Sequence, residues 1–142
     1  CGDAGAECRR YEELLRARPV DVVMMGIGEN GHIAFNDPGV ADFHDPAWVK
    51  EVALDPVCRM QQVHDGCFAS LDEVPRTAIT LTVPALMSAK HLFCSVPAAS
   101  KAEAVRATVE GEISEACPAT ALRLHGDARL YCDADSARLV SL

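Results

Sequence analysis

The stretch GIGENGHIAFNDP at residues 26–38 directly follows the apolar run VDVVMM at residues 20–25, which has the composition of a buried strand. Gly26, Gly28 and Gly31 allow the backbone to turn sharply and to approach a ligand closely. Open α/β sheets build their active sites in this way, from loops at the carboxyl ends of strands. The stretch therefore predicts an α/β fold with candidate functional side chains directly after an early strand.

Hydrophobic periodicity divides the rest of the chain into strands that alternate with helices. Strands are predicted at residues 20–26, 49–54, 77–83, 91–96 and 128–132. Helices are predicted at residues 7–17, 56–69, 84–89, 100–110 and 118–124, with Ser100 and Glu103 as a capping box. A long loop is predicted at residues 27–48, and a final turn capped by Asp133 at residues 134–139. This alternation implies a Rossmann-like, layered and largely parallel sheet with flanking helices.

Length and charge narrow the classes of function. The 142 residues suit a single α/β domain, and the formal net charge of −8 argues against a nucleic-acid surface, which needs a basic face. No apolar stretch approaches the ~20 residues that span a membrane. The seven cysteines are scattered and form no C-x-x-C pair, which favours reduced thiols in a cytoplasmic protein over a disulfide framework.

The spacing of ligand-type residues predicts no metal and no cofactor. The histidines and cysteines lack the paired spacing of zinc sites. The pattern Gly26-x-Gly28-x-x-Gly31 matches three glycines of a dinucleotide-binding loop, but such a loop must open a helix directly. Here the sequence AFNDPG at residues 34–39 would break a helix within two turns.

The glycine-rich stretch resembles the signature of glucosamine-6-phosphate deaminases, which share a fold with 6-phosphogluconolactonases. Shorter matches follow in the family's order, at residues 74–75, 78–82, 100–102, 109–111 and 132–133. Members of that family are about twice as long as this chain. The resemblance therefore implies that residues 1–142 are the C-terminal portion of a single sugar-phosphate deaminase domain. Its phosphate-binding loop and its proton-transfer aspartate are expected in the other half.

The resemblance implies that His32 is the residue that opens the sugar ring. An imidazole titrates near neutrality, so it can take a proton from one oxygen and return it to another. Asp37 lies five positions later and is expected to reach the imidazole and fix its tautomer, although the deaminases usually carry glutamate there. Asn30 can orient His32 or a substrate hydroxyl, but it cannot act as a base. A structural histidine in a glycine-rich turn, and a turn aspartate before Pro38, remain the alternatives.

Three residues are expected to bind the substrate phosphate. Lys101 lies at the start of a helix, where free N–H groups attract anions, and it matches the family lysine that contacts the sugar phosphate. His64 occupies the place of a phosphate-binding arginine of the deaminases, five residues after Arg59, which matches another family arginine. A solvated helix lysine is the alternative for Lys101, and Gln61 and Gln62 are further candidates that the sequence does not rank.

The resemblance implies an enzyme that converts glucosamine 6-phosphate to fructose 6-phosphate and ammonia in amino-sugar catabolism, with no cofactor. Two alternatives remain open, a 6-phosphogluconolactonase-type hydrolase and a non-catalytic sugar-phosphate sensor. The expected partner is a small-molecule sugar phosphate, with neither nucleic acid nor membrane, and a homo-oligomer is left open. The isolated chain is expected to be inactive and prone to associate.

Overall fold

The computed structural model describes residues 2–141 and arranges them as a mixed α/β fold. Its strands are β1 (Val22–Met25), β2 (Val49–Ala53), β3 (Thr77–Leu81), β4 (His91–Val96) and β5 (Ala128–Cys132). Its α-helices are α1 (Ala4–Arg16), α2 (Pro56–His64), α3 (Val83–Met87) and α4 (Ala102–Glu110). Short 3₁₀ segments occupy Leu71–Glu73, Ala99–Lys101 and Pro118–Leu124. The prediction of an α/β fold with flanking helices is confirmed.

The sheet prediction is confirmed for three strands and wrong for two. Strands β1, β4 and β5 form a parallel sheet in the order β1-β4-β5. Strands β2 and β3 instead form a separate antiparallel pair, with Val49 opposite Leu81 and Ala53 opposite Thr77. The connection through α2 returns the chain beside β2 rather than crossing over the parallel sheet, and that return makes the pair antiparallel.

Several helix boundaries differ from the sequence prediction, and those of α2 and α4 differ for local reasons. Helix α2 ends at His64 rather than residue 69, because Gly66 takes a φ of +73° and the N–H of Cys67 bonds the carbonyl of Gln62 at 2.9 Å. This is a Schellman cap, which stops a helix at the glycine. The capping box at Ser100 is wrong, since Ser100 lies inside a 3₁₀ turn and α4 begins only at Ala102.

Helix α1 begins at Ala4, three residues earlier than predicted, because Asp3 caps it. The carboxylate of Asp3 accepts a hydrogen bond from the N–H of Ala6 at 3.2 Å. The helix packs against β2, and its last residue, Arg16, places its guanidinium 4.4 Å from the ring centre of Trp48. None of the helices in residues 2–141 combines the length and apolar composition that a membrane span requires.

The parallel sheet is covered on one face only within residues 2–141. Val23, Met25, Leu92 and Cys94 point towards the helices and join the core. The alternate residues face solvent on the other side: Val22 is 48% exposed, Met24 84% and Tyr131 51%, and Tyr131 stacks on Phe93 with a ring-centre distance of 6.4 Å. Parallel sheets are normally buried on both faces. The exposed sheet face of this chain therefore departs from that rule within residues 2–141.

Candidate active site

Two loops meet at the carboxyl edge of the parallel sheet. The loop at residues 26–48 leaves β1, and residues 97–101 leave the adjacent parallel strand β4, so both begin at the same edge. The two non-glycine residues with positive φ in residues 2–141 lie in these loops, Ala34 at 51° and Ala98 at 85°. Backbone in such sparsely populated conformations concentrates at functional sites. Lys101 therefore lies at the same edge of the sheet as His32.

The His32 side chain is held by a closed hydrogen-bond network. Its Nδ1 lies 2.7 Å from Oδ1 of Asn30 and 3.0 Å from Oδ1 of Asp37. Asn30 also donates its amide N–H to Oδ1 of Asp37 at 3.0 Å and accepts the backbone N–H of His32 at 3.1 Å. The predicted contact between His32 and Asp37 is confirmed. Because both neighbours of Nδ1 are oxygen acceptors, this nitrogen carries the proton, and Nε2 is left as the basic nitrogen of the neutral ring.

Asp37 is fully buried beneath the histidine and keeps its negative charge. Burial by itself would raise the pKa of this carboxyl, but hydrogen bonds from His32 and Asn30 outweigh it and leave the pKa below its usual value. The backbone N–H of Asp55, at the start of α2, also points at Oδ2 from 3.4 Å. Asp37 therefore has the position and charge to orient the imidazole and to stabilise its protonated form.

Two glycines of the loop make room for neighbouring side chains. A Cβ at Gly28 would lie 2.1 Å from Cε1 of His32, so the ring occupies the space that any side chain at position 28 would need. Gly31 has a φ of +84°, and a Cβ there would lie 2.7 Å from Sγ of Cys117. Gly28 therefore determines where the imidazole can sit, and Gly31 makes room for the side chain of Cys117; both have packing roles.

His32 opens onto a groove of about 480 Å³ between the β1 loop, α2 and the β2–β3 pair. Nε2 of His32 has no hydrogen-bond partner among residues 2–141, and the ring is one of the groove's walls. The other lining residues are mainly apolar or neutral polar: Tyr11, Gly26, Ile27, Gly28, Ala34, Phe35, Gln61, Gln62, Ile79, Thr80 and Leu81. No carboxylate from the described part of the chain lines it. A second cavity of about 350 Å³, beside α4 and β5, is remote from these residues.

The structure separates the candidates for phosphate binding. Gln61 and Gln62 line the groove, and the side-chain oxygen of Gln61 accepts the N–H of Glu29 at 3.3 Å. Arg59 points elsewhere and donates from Nη2 to the carbonyls of Leu71 at 2.6 Å and Val74 at 2.9 Å. His64 is exposed at the last residue of α2 and does not line the groove. Of the four candidates on α2, Gln61 and Gln62 line the groove with His32, whereas Arg59 and His64 do not, and phosphate binding by any of them stays a prediction.

Lys101 is half-buried and lies directly before α4, outside the groove itself. The side of α4 next to it packs beside the turn at residues 29–31, where a smaller cavity of about 250 Å³ lies between Asn30 and Ala104. Lys101 therefore directly precedes the helix that packs beside the loop carrying His32, while its contact with a phosphate stays a prediction.

Known proteins share both the sequence and the fold. Residues 2–131 match the family model described as glucosamine-6-phosphate isomerases/6-phosphogluconolactonase. The chain belongs to this family. It is 40% identical over 139 residues to a glucosamine-6-phosphate deaminase of Bacillus cytotoxicus, covering 98% of this chain and 51% of the relative. A deaminase of Bacillus cereus is also 40% identical over 139 residues, with the same coverage. The chain thus spans about half the length of the curated relatives it matches.

Solved structures give the same result. A monomeric glucosamine-6-phosphate deaminase superposes with a TM-score of 0.91 at 40% identity, over 98% of this chain and 56% of that one. A 6-phosphogluconolactonase from Leishmania guyanensis superposes with a TM-score of 0.71 at 21% identity, over 98% of this chain and 54% of that one. The second likeness extends the shared fold to the lactonase branch of the family.

Cys58 is a site residue that the sequence did not suggest. It is 1% exposed, and its Sγ lies within 4.8 Å of the ligand atoms of both His32 and Asp37. Burial, followed by the nearby charge of Asp37, raises the pKa of the thiol to about 11, so the group stays protonated at neutral pH. It lies 21 positions after Asp37, on α2, and no spacing rule links the two residues.

Proposed function

We propose that this chain supplies the acid–base and substrate-orienting part of a glucosamine-6-phosphate deaminase, an enzyme of cytoplasmic amino-sugar catabolism. The observation that carries the proposal is the arrangement of His32, with Nδ1 bound to Asn30 and Asp37 and Nε2 free on the groove. The groove walls are apolar or neutral polar, and the imidazole of His32 can move protons between the oxygens of a sugar bound there.

The proposed first step is the opening of the sugar ring. Nε2 of His32 takes the proton of the anomeric hydroxyl, the bond between C1 and the ring oxygen breaks, and the ring oxygen receives the proton. The product is the open-chain aldehyde, and His32 returns to its starting tautomer. Asp37 stabilises the imidazolium formed in between, and Asn30 keeps the ring oriented. This division of roles follows from contacts at 2.7 and 3.0 Å around Nδ1.

The later steps need a base that residues 2–141 do not place in the groove. Removal of the C2 proton gives an enolamine, protonation at C1 converts it to a 2-imine, and addition of water to the imine releases ammonia and leaves the ketone. Asn30 cannot accept that proton, and Asp37 is buried and bound to its neighbours. We propose that the base and most of the phosphate site come from a further polypeptide segment, with Lys101 adding a positive charge from this chain.

The exposed sheet face is where that segment would pack. It presents Val22, Met24 and Tyr131 to solvent, whereas parallel sheets normally have both faces covered. The chain's span of about half its relatives' length fits this division. On this proposal, residues 1–142 form the C-terminal portion of one α/β domain.

The proposal is tested with a chimera in which this chain replaces the matching half of the Bacillus cytotoxicus deaminase. Ammonia and fructose 6-phosphate are assayed with glucosamine 6-phosphate, and acid release is assayed with 6-phosphogluconolactone. Ammonia production that disappears in the His32→Gln chimera supports the deaminase. Acid release without ammonia supports the lactonase alternative. Binding of the sugar phosphate without either reaction supports the sensor alternative.

A further inference from the structure

The cluster of His32, Asp37 and Cys58 has the composition of a metal site, although no sequence spacing indicates one. We propose that these three residues, with Asn30, bind a thiophilic divalent cation of the zinc class. One nitrogen, one carboxylate oxygen and one sulfur of the three residues all lie within 4.8 Å of one another, and all three side chains are buried. Imidazole, thiolate and carboxylate are the ligands that zinc takes in proteins.

The ligand atoms are close to the spacing that such an ion requires. Zinc binds nitrogen and oxygen at about 2.0–2.1 Å and sulfur at about 2.3 Å, so tetrahedral ligand atoms lie about 3.3–3.6 Å apart. Nδ1 of His32 and Oδ1 of Asp37 are already 3.0 Å apart. Oδ1 of Asn30 lies 2.7 Å from the same Nδ1 and is placed as the fourth ligand. Shifts of about 1 Å therefore convert a hydrogen-bond network into a coordination shell.

Charge balance favours a divalent ion at this place. A carboxylate from Asp37 and a thiolate from Cys58 together neutralise two positive charges in a buried setting, where an unpaired charge would be costly. The thiol releases its proton to the solvent when the ion binds. His32 also lines the groove, so one member of the cluster borders this open space.

Binding would reverse the tautomer of His32. The ion takes Nδ1, so the ring proton moves to Nε2, which then donates instead of accepting. If the proposed function is right, a ring in this state cannot take the anomeric proton, and the ion inhibits the reaction. This consequence rests on the proposed function, whereas the binding itself does not.

The test uses Co²⁺ added to the purified chain of residues 1–142, followed by absorption spectroscopy. We expect a cobalt–thiolate charge-transfer band that saturates at one equivalent. In Cys58→Ser the band disappears and affinity falls more than about 100-fold, since even an outer partner of a metal ligand can cost that much. The matched control is Cys94→Ser, another buried thiol with its Sγ in the sheet core, which keeps the band. Circular dichroism establishes that each variant is folded.

The competing explanation for the band is that Co²⁺ binds to the exposed thiol of Cys67 or Cys132. X-ray absorption on the unmodified, metal-loaded chain counts the sulfur ligands, and loss of the band in Cys58→Ser identifies the cysteine that supplies them. One sulfur with nitrogen and oxygen ligands supports the site, whereas two or more sulfurs, or none, overturn it. A band that survives in Cys58→Ser overturns it as well. Binding at this site without loss of activity in the chimera would leave the metal site standing and refute the role proposed for His32.

Discussion

Gly28→Ala should displace the His32 ring and destabilise the chain, because position 28 has no room for a methyl group. The added Cβ would lie 2.1 Å from Cε1, 2.3 Å from Nδ1 and 2.4 Å from Nε2 of His32. A displaced ring loses its bonds to Asn30 and Asp37, of which one is to a neutral group and one to a charged group. Such bonds contribute about 0.5–1.5 and about 1.5–3 kcal/mol respectively.

The expected loss in the free energy of unfolding from the two bonds is therefore about 2–4.5 kcal/mol, and the restriction that alanine places on the unfolded chain offsets about 0.4–1 kcal/mol of it. Urea denaturation of the purified chain measures it. Gly126→Ala is the matched control, since a Cβ there meets nothing within 4 Å and its φ is not positive. That control should be neutral or slightly stabilising. A Gly28→Ala variant as stable as Gly126→Ala would refute the packing argument for the imidazole.

Three further changes test the fold and the charge at the site. Asp37→Asn should lower the free energy of unfolding more at pH 7 than at pH 3. A carboxyl whose pKa is lowered in the folded state stabilises the fold above its unfolded pKa, and this contribution is lost as the pH falls through the folded-state pKa. Equal shifts of the urea midpoint at both pH values would contradict this. Ala98→Gly should raise the melting temperature by relieving a φ of +85°, worth about 1 kcal/mol, whereas Ala99→Gly should lower it. Met24→Lys should reduce self-association in size-exclusion chromatography without loss of stability, since Met24 is 84% exposed; unchanged association would show that the exposed sheet face is not responsible.

The sequence predicted best those strands whose bounds depend on local residues alone. The predicted bounds of β4 and β5 agree with the structure to the residue, because in each strand apolar residues alternate with more exposed ones in a short segment. The antiparallel pairing of β2 and β3 was not predictable in this way. It depends on how α2 folds back, and alternation of helices with strands does not report the direction of a strand.

The site residues also divide into those placed by local sequence and those placed by tertiary packing. His32 and Asp37 lie within one glycine-rich loop, so their spacing was enough to predict the contact at 3.0 Å. Cys58 and Gln61 lie on α2, and their approach to the loop depends on how that helix rotates as it packs. Arg59 is next to Cys58 in sequence but faces the carbonyls of Leu71 and Val74, which only tertiary structure reveals.

The central claim is that His32 opens the sugar ring through Nε2, and the most direct measurement compares two substrates in the chimeric enzyme. His32→Gln should lower ammonia release from cyclic glucosamine 6-phosphate by ~10²-fold or more, the usual scale for the loss of a general acid–base group. An analogue that is fixed in the open-chain form skips ring opening, so its turnover should fall much less. Equal losses on both substrates would contradict the role assigned to His32.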